Sequence, residues 1–494
     1  MTEEQGAQQS SDAKTDKKSF GKDVGKLVIG TIIAQIIGIC LIPVITRIFG
    51  PELFGVAAVF TSITTLLLVI SCMKYDQAII LPKDDADAGA LCILCVIIVS
   101  VISAIVLLLF IFFGDVISSF LNSPLLEPYL ILVPLFLFIS GIYMMLGFWN
   151  TRKKRFGIQS VSMIVQTISG NGLKAGFGIL ELVNAGSLII GQIIGTLASL
   201  FVLSIQVIRN DLHLFKNSFS LKSILSMAKK YKKFPLIETW SDLMQNLSLQ
   251  LPVLMLTAFF SSTIVGYYSL GYTVLLIPLS LVGNSIAQVF RQRGAVVVRD
   301  NGLKPLVEDV ALVMLLLTII PMIILMTLGG DLFGIIFGSE WIESGVYLQI
   351  LSIWAIVFFI MTPIESTFTI VEKQEWRVKA NIINLIAQFS ALIIGGTLQN
   401  IYLTIILLTV FGLISSGYRL WLIMSLSHAS LYLIIGKSKS VLLLSFVILI
   451  LLVVMRYVFS LNIFIIIAVA SVITICYYLI LYRSNGLIRS YIPF

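Results

Sequence analysis

Fourteen stretches of about 20 almost wholly apolar residues recur along this chain, and they leave it few places to fold other than a lipid bilayer. A hydrocarbon core about 30 Å thick is crossed by roughly 20 apolar residues in a helix that rises about 1.5 Å per residue. The stretches fall at 24–47, 53–73, 89–113, 125–149, 157–180 and 186–208; then at 234–260, 264–290, 307–328, 345–371, 378–397 and 401–426; and last at 440–459 and 461–482. Only 12% of the 494 residues are charged and 58% are apolar, against about 25% charged in ordinary soluble domains. The expected fold is an all-α polytopic membrane protein of about fourteen transmembrane helices, grouped six, six and two. Its parts are a disordered cytoplasmic tail over 1–23, an N-lobe over 24–208, a basic linker over 209–233, a C-lobe over 234–426 and a final helix pair within 440–482.

The net charge of +8 would suit nucleic acid if it were spread over one face, but its placement excludes that partner. With the tail inside, the cytoplasmic turns and adjoining helix ends hold all of the 33 Lys and Arg except Arg47, Lys174, Arg419 and Arg456. That is the positive-inside pattern, and it predicts a bacterial cytoplasmic membrane protein with both termini in the cytoplasm. The first 23 residues are polar and contain no apolar run ending in a small-residue cleavage site, so the first stretch is expected to direct insertion itself.

Enzyme chemistry has little to build on. The five cysteines, Cys40, Cys72, Cys92, Cys95 and Cys476, lie in or beside apolar stretches. Cys92 and Cys95 form a C-x-x-C without a second pair or a nearby His, which leaves zinc short of ligands. His213 and His428 read as solvated turn residues, and no phosphate loop, Gly-x-Ser-x-Gly or His-Glu-x-x-His is present. No catalytic residue, metal or cofactor is expected.

The two six-helix blocks share faint internal similarity. Leu41-Ile42-Pro43-Val44-Ile45 has a counterpart in Gln250-Leu251-Pro252-Val253-Leu254, and Phe49 to Gly55 repeats its spacing at Phe260 to Gly266. Six intervening helices give both copies the same orientation, so an axis along the membrane normal would relate them. Three further segments carry a family resemblance: Thr46-Arg47-Ile48-Phe49-Gly50-Pro51-Glu52-Leu53-Phe54-Gly55, Lys74-Tyr75-Asp76-Gln77-Ala78-Ile79 and Asn150-Thr151-Arg152-Lys153-Lys154-Arg155-Phe156-Gly157. They resemble the first outer turn, the basic-aromatic-acidic segment after helix two and the basic turn after helix four of the polysaccharide flippases of the multidrug/oligosaccharidyl-lipid/polysaccharide superfamily. The resemblance implies two lobes around a central cavity that opens alternately to either side. Its implied substrates are undecaprenyl-diphosphate-linked oligosaccharides for O-antigen, capsule or exopolysaccharide, met through cavity lysines and arginines.

An ionised side chain at mid-helix costs about 2.5–3.5 kcal/mol on insertion scales, which makes each one a candidate for function. Lys174 lies about 17 residues, or about 25 Å, into the fifth stretch. Asn171 is one turn before it, and Glu181 two turns after if the helix extends so far. Lys174 and Asn171 are candidate substrate ligands; snorkelling of Lys174 outward or pairing with Glu181 is the competing reading. The seventh stretch carries Glu238, Asp242 and Gln245 on one face, and the eighth carries Asn284, Gln288 and Arg291. Glu365 lies in the tenth, and Asn381, Asn384 and Gln388 lie in the eleventh. Asn284, Gln288 and Arg291 join the substrate-binding candidates, while Asp242, Glu238 and Glu365 are candidates for ion coupling. Arg47, in the outer turn, is a candidate guide for the departing diphosphate or else a headgroup anchor. The amide groups serve equally well as glue between helices.

In the linker, Leu221, Ile224, Leu225 and Ala228 recur at helical spacing with Lys222, Lys229, Lys230 and Lys233 around them. That pattern predicts a basic amphipathic helix on the anionic inner leaflet. Trp149, Trp376 and Trp421 are expected at the aromatic belt. The partners expected are the lipid-linked oligosaccharide, anionic lipids, and polysaccharide polymerase and chain-length machinery. A multidrug and toxin extrusion antiporter, a lipid II flippase and a membrane glycan polymerase or ligase remain as alternatives.

Overall fold

The computed structural model describes residues 29–217, 220–298, 302–484, 486 and 489. The tail expected over 1–23 lies outside the described residues. Fourteen long helical segments follow one another, and no strand occurs among the described residues. They are α1 (Ile29–Ile48), α2 (Pro51–Ser71), α3 (Asp85–Phe120), α4 (Leu132–Arg152), α5 (Phe156–Ile179) and α6 (Ala185–Asn210). Then come α7 (Thr239–Phe259) and α8, which runs as Ser262–Pro278, a π-turn at Leu279–Gly283 and Asn284–Val297. The remainder are α9 (Leu303–Ile336), α10 (Ile342–Ile364), α11 (Gln374–Thr397), α12 (Ile401–Leu426), α13 (Leu431–Val453) and α14 (Ile463–Ser484).

Eleven described helices are long and apolar enough to cross a membrane by length and composition. Those that fall short are α5, α7 and α8. Polar residues explain two of these: Gln159, Gln166, Asn171 and Lys174 interrupt α5, and Asp242, Gln245, Asn246 and Gln250 interrupt α7. The π-turn breaks α8 into pieces of 17 and 14 residues, the second carrying Asn284, Gln288 and Arg291. The chain is thus a multi-pass membrane protein whose weakest spans carry most of the candidate side chains.

Two close packings set the helix pairs. In the α5–α6 pair a Cβ on Gly195 would meet the Gln166 carbonyl at 2.8 Å and Gly170 Cα at 2.9 Å. In the α9–α10 pair a Cβ on Gly329 would meet the Gly345 carbonyl at 2.8 Å. Only glycine permits such backbone approach, the usual basis of helix association where lipid supplies no hydrophobic drive. Helix starts are set locally: Pro51 occupies the first turn of α2, and the Asn184 and Asn400 carboxamides accept from the N–H groups of Ser187 and Leu403 at α6 and α12.

The chain divides into two compact units, one running through Gln250 with Ser261–Thr263, the other comprising Leu251–Phe260 and residues from Ile264 onward. The boundary falls inside α7. In the first unit, a core beneath the basic turns holds Trp149, Leu91, Cys92, Cys95 and Ile79. Trp149 is fully buried and donates from Nε1 to Asp211 at 2.9 Å, and Arg155 pairs with the same carboxylate at 2.6 Å. The expected belt position for Trp149 is therefore corrected: its indole is spent inside the protein on a buried acid. Burial pushes the Asp211 carboxyl up, but the donors Arg155 and Trp149 outweigh it and hold the group below the usual carboxylate range.

The linker helix (Leu221–Lys230) also departs from expectation. Ile224 and Met227 are buried in that same core, and the Tyr75 hydroxyl donates to the Ala228 carbonyl at 3.0 Å. Only the edge with Leu221 and Leu225 is left exposed. Half of the apolar stripe is thus consumed by protein packing and is not available to lipid. In the second unit, Arg456 of the α13 end pairs with Asp331 of α9 and donates to the Thr327 carbonyl at 2.9 Å. Tyr477 and Tyr478 of α14 donate to the Leu316 and Leu317 carbonyls at 2.6 Å. These bonds tie the final helix pair to α9.

Candidate functional site

Lys174 occupies the last third of α5 and packs its stem across α6, where a Cβ on Gly191 would come within 2.6 Å of Lys174 Cγ. Its ammonium donates to Asn171 Oδ1 at 3.4 Å and makes no ion pair among the described residues. Glu181 does not answer it. The helix stops at Ile179, and Glu181 sits beyond it with φ 59°, exposed, so the shared face that needed a longer helix does not form. An ammonium with three donors and one long bond to a neutral amide retains most of its capacity for an anion. Nearby, Thr61 of α2 donates to Gln192 Oε1 at 3.2 Å, and Gln166 donates to Thr196 at 3.2 Å. Gln166 and Gln192 were not singled out from sequence, although each is an amide inside an apolar helix, the same signal that marked Asn171.

Asp242 is not a lone acid. Lys74, in the turn after α2, meets it at 2.7 Å, with the lysine side chain 10% exposed. Asn246 donates to the Asp242 carbonyl at 2.8 Å, and Gln250 accepts from Ser62 of α2 at 2.8 Å. The first half of α7 is thereby bonded at two levels to the unit it belongs to. Glu238 falls in a π-turn over Phe234–Glu238 and is exposed.

The second unit contains a polar cavity of about 800 Å³ lined by Asn284 and Arg291 of α8, Thr362 of α10, Glu365, Ser366 and Glu372 beyond it, and Arg377 of α11. Glu365 stands between Arg377 at 3.5 Å and Arg419 of α12 at 3.8 Å. Like Asp242, it is ion-paired. The Nε atoms of both arginines and the Ser366 hydroxyl are buried without a hydrogen-bond partner. The lining sets two guanidinium groups, Arg291 and Arg377, against two carboxylates, Glu365 and Glu372, and Arg419 holds Glu365 from outside it. Gln288 is exposed and outside the lining, Asn384 accepts from Ser415 at 2.8 Å, and Arg47 is exposed at the end of α1. The sequence thus brought Asn284, Arg291 and Glu365 to one chamber. Arg377 was missed as a member, and Arg419, which stands out as a cation breaking the charge pattern, backs the chamber through Glu365.

Helices of this length, with ammonium and guanidinium groups held among them, define a multi-pass membrane protein with charged groups inside its helical bundle. Among solved structures the fold is similar to the lipid II flippase MurJ in an inward closed conformation, at 16% identity over 93% of this chain and 99% of that one, with TM-score 0.68. It is also similar to an inward-facing multidrug resistance transporter of the MATE family, MOP superfamily, at 11% identity over 81% of this chain and 98% of that one, TM-score 0.66. A third is the Vibrio cholerae MATE transporter VcmN, at 15% identity over 83% and 96%, TM-score 0.52. No curated protein matches the sequence. The family profile of polysaccharide biosynthesis proteins matches residues 44–346, more than half of the chain, and the chain belongs to that family.

Proposed function

We propose that this protein is a flippase that carries undecaprenyl-diphosphate-linked oligosaccharide units across the bacterial cytoplasmic membrane by alternating access, for O-antigen, capsule or exopolysaccharide synthesis. The observation that carries this reading is Lys174, an ammonium within a membrane helix whose partner is an amide and not an acid. A fixed cation of this kind is costly unless something anionic visits it, and a lipid-linked glycan brings a diphosphate. The polar chamber lined by Arg291 and Arg377 with Glu365 and Glu372 adds a second place for hydroxyl-rich groups. Membership of the polysaccharide biosynthesis family and the likeness of the fold to that of a lipid II flippase support this reading.

In this reading both termini are cytoplasmic, since the basic turns lie on their side. Polysaccharide polymerase and chain-length machinery would consume the product outside. The antiporter alternative is less favoured because those structures leave about a fifth of this chain uncovered, whereas the lipid II flippase covers 93%. Deleting the gene should make lipid-linked oligosaccharide accumulate, digestible by added glycosidase in inside-out vesicles and protected in intact cells. Unchanged lipid-linked pools and unchanged surface glycan in the deletion strain would reject the reading.

A further inference from the structure

The turn between α2 and α3 contains a cluster that transport of a lipid-linked glycan does not by itself explain. Met73 and Lys74 both adopt left-handed backbone, φ 45° and 59°, a conformation that costs a non-glycine residue about 1–2 kcal/mol. Successive strained residues mark a place where side chains are being aimed. Here Lys74 is directed at Asp242 at the start of α7, and Tyr75 at the linker helix. Between them Asp76 points inward. It is 1% exposed, and its Oδ2 is out of water with no hydrogen-bond partner.

Two carboxylates therefore share one ammonium, and that ammonium already lies on Asp242. The other ionisable groups around this turn do not supply a second cation. Cys72 on α2 and Cys92 and Cys95 on α3 are buried thiols, and Glu238 on the segment entering α7 is an exposed acid. Arg152 on α4 is committed to Asp85 and to the carbonyls of Pro82 and Lys83. A buried carboxylate oxygen without a donor is costly as an anion and tolerable as an acid.

We propose that Asp76 is a proton-binding site, and that the Lys74–Asp242 pair is the latch that sets its occupancy. With Lys74 on Asp242, Asp76 keeps its proton. When the start of α7 withdraws Asp242, the ammonium has Asp76 as its remaining partner, and the proton passes to water at that end of the protein. One proton leaves for each opening, and one returns from water when the latch closes. Burial raises the Asp76 carboxyl above its ordinary range against the opposing pull of Lys74, in keeping with this geometry. The consequence for transport rests on the flippase reading; the proton site itself does not.

Infrared titration of the purified protein in lipid nanodiscs tests the site directly. A protonated-carboxyl band that disappears in Asp76→Asn should titrate above the ordinary aspartate value of about 3.9. In Asp242→Asn, where Lys74 is left to Asp76, the same band should titrate lower than in the wild type. Absence of any band lost in Asp76→Asn, or an unmoved titration in Asp242→Asn, would overturn the proposal. If Asp76→Asn does not fold, Asp76→Ser identifies the band by the same loss, and the Asp242→Asn shift is read on it. In vesicles holding lipid-linked oligosaccharide, wild-type flipping should respond to the pH of the solution that this turn faces, and Asp76→Asn should flip without responding. A response to that pH that survives in Asp76→Asn would refute the coupling. Wild-type vesicles that never flip would instead reject the flippase reading and leave the infrared result standing.

Discussion

Removing the charge at Lys174 should cost the protein most of its transport and none of its fold. The ammonium donates one 3.4 Å bond to Asn171 and has no ion pair among the described residues, so Lys174→Ala breaks little that the resting protein uses. It also removes a charge from within a membrane helix, so the protein should accumulate at normal or higher levels. What is lost is contact with the substrate. A charge-assisted hydrogen bond contributes about 1.5–3 kcal/mol, which at 1.4 kcal/mol per decade is a loss of roughly 10- to 150-fold in flipping rate. Lys174→Arg keeps the cation and should retain much of the activity. Gly191→Ala keeps the cation but intrudes on the stem, whose Cγ would lie 2.6 Å from the new Cβ, and on the Gly170 carbonyl at 3.0 Å; it should lower the rate per molecule of protein in the membrane. The assay is surface glycan in a flippase-null strain, read against membrane levels of the protein. Full surface glycan from Lys174→Ala at normal expression would refute the diphosphate role and leave the lysine as a packing residue.

Three other outcomes follow from the same geometry. Reporters fused after Lys154, Lys230 and Phe494 should behave as cytoplasmic and one near Glu340 as periplasmic; a periplasmic signal at Lys230 would break the fourteen-helix topology. Glu365→Gln leaves Arg377 and Arg419 without their shared anion, and because these pairs are only partly buried the loss should be about 1–3 kcal/mol. That appears as a lower melting temperature in detergent, smaller in Arg377→Ala, where Arg419 still holds the acid; an unchanged melting temperature in Glu365→Gln would contradict it. For Asp211, whose carboxyl is held below its usual range, the stabilisation is present above the unfolded value near 3.9 and is lost as pH falls through the folded value. The melting gap between wild type and Asp211→Asn should therefore be full at neutral pH and close below about pH 4; a gap that widens on acidification would reverse the assignment.

The helices were legible because lipid imposes one length and one composition on every span, and even the weak ones, α5, α7 and α8, kept enough apolar residues to be counted. Their weakness was informative in turn, since it collects the polar side chains. Which acid meets which base was not legible. Lys74 and Asp242 lie far apart in sequence, and nothing local pairs them; the same holds for Glu365 with Arg419 and for Trp149 with Asp211. A helix-period pattern also cannot say what covers an apolar face, and so Ile224 and Ala228 read as lipid-facing when the fold packs them against α3. The end of α5 depended on one residue's backbone, the left-handed Glu181, which charge spacing does not reveal.

Flipping by the purified protein tests the central claim most directly. Vesicles containing it and a fluorescent undecaprenyl-diphosphate-linked oligosaccharide should lose the label from the donor leaflet faster than protein-free vesicles, and faster than vesicles with the Lys174→Ala protein by roughly 10-fold or more. The same rate in all three preparations, with the wild-type protein folded and correctly inserted, would contradict it.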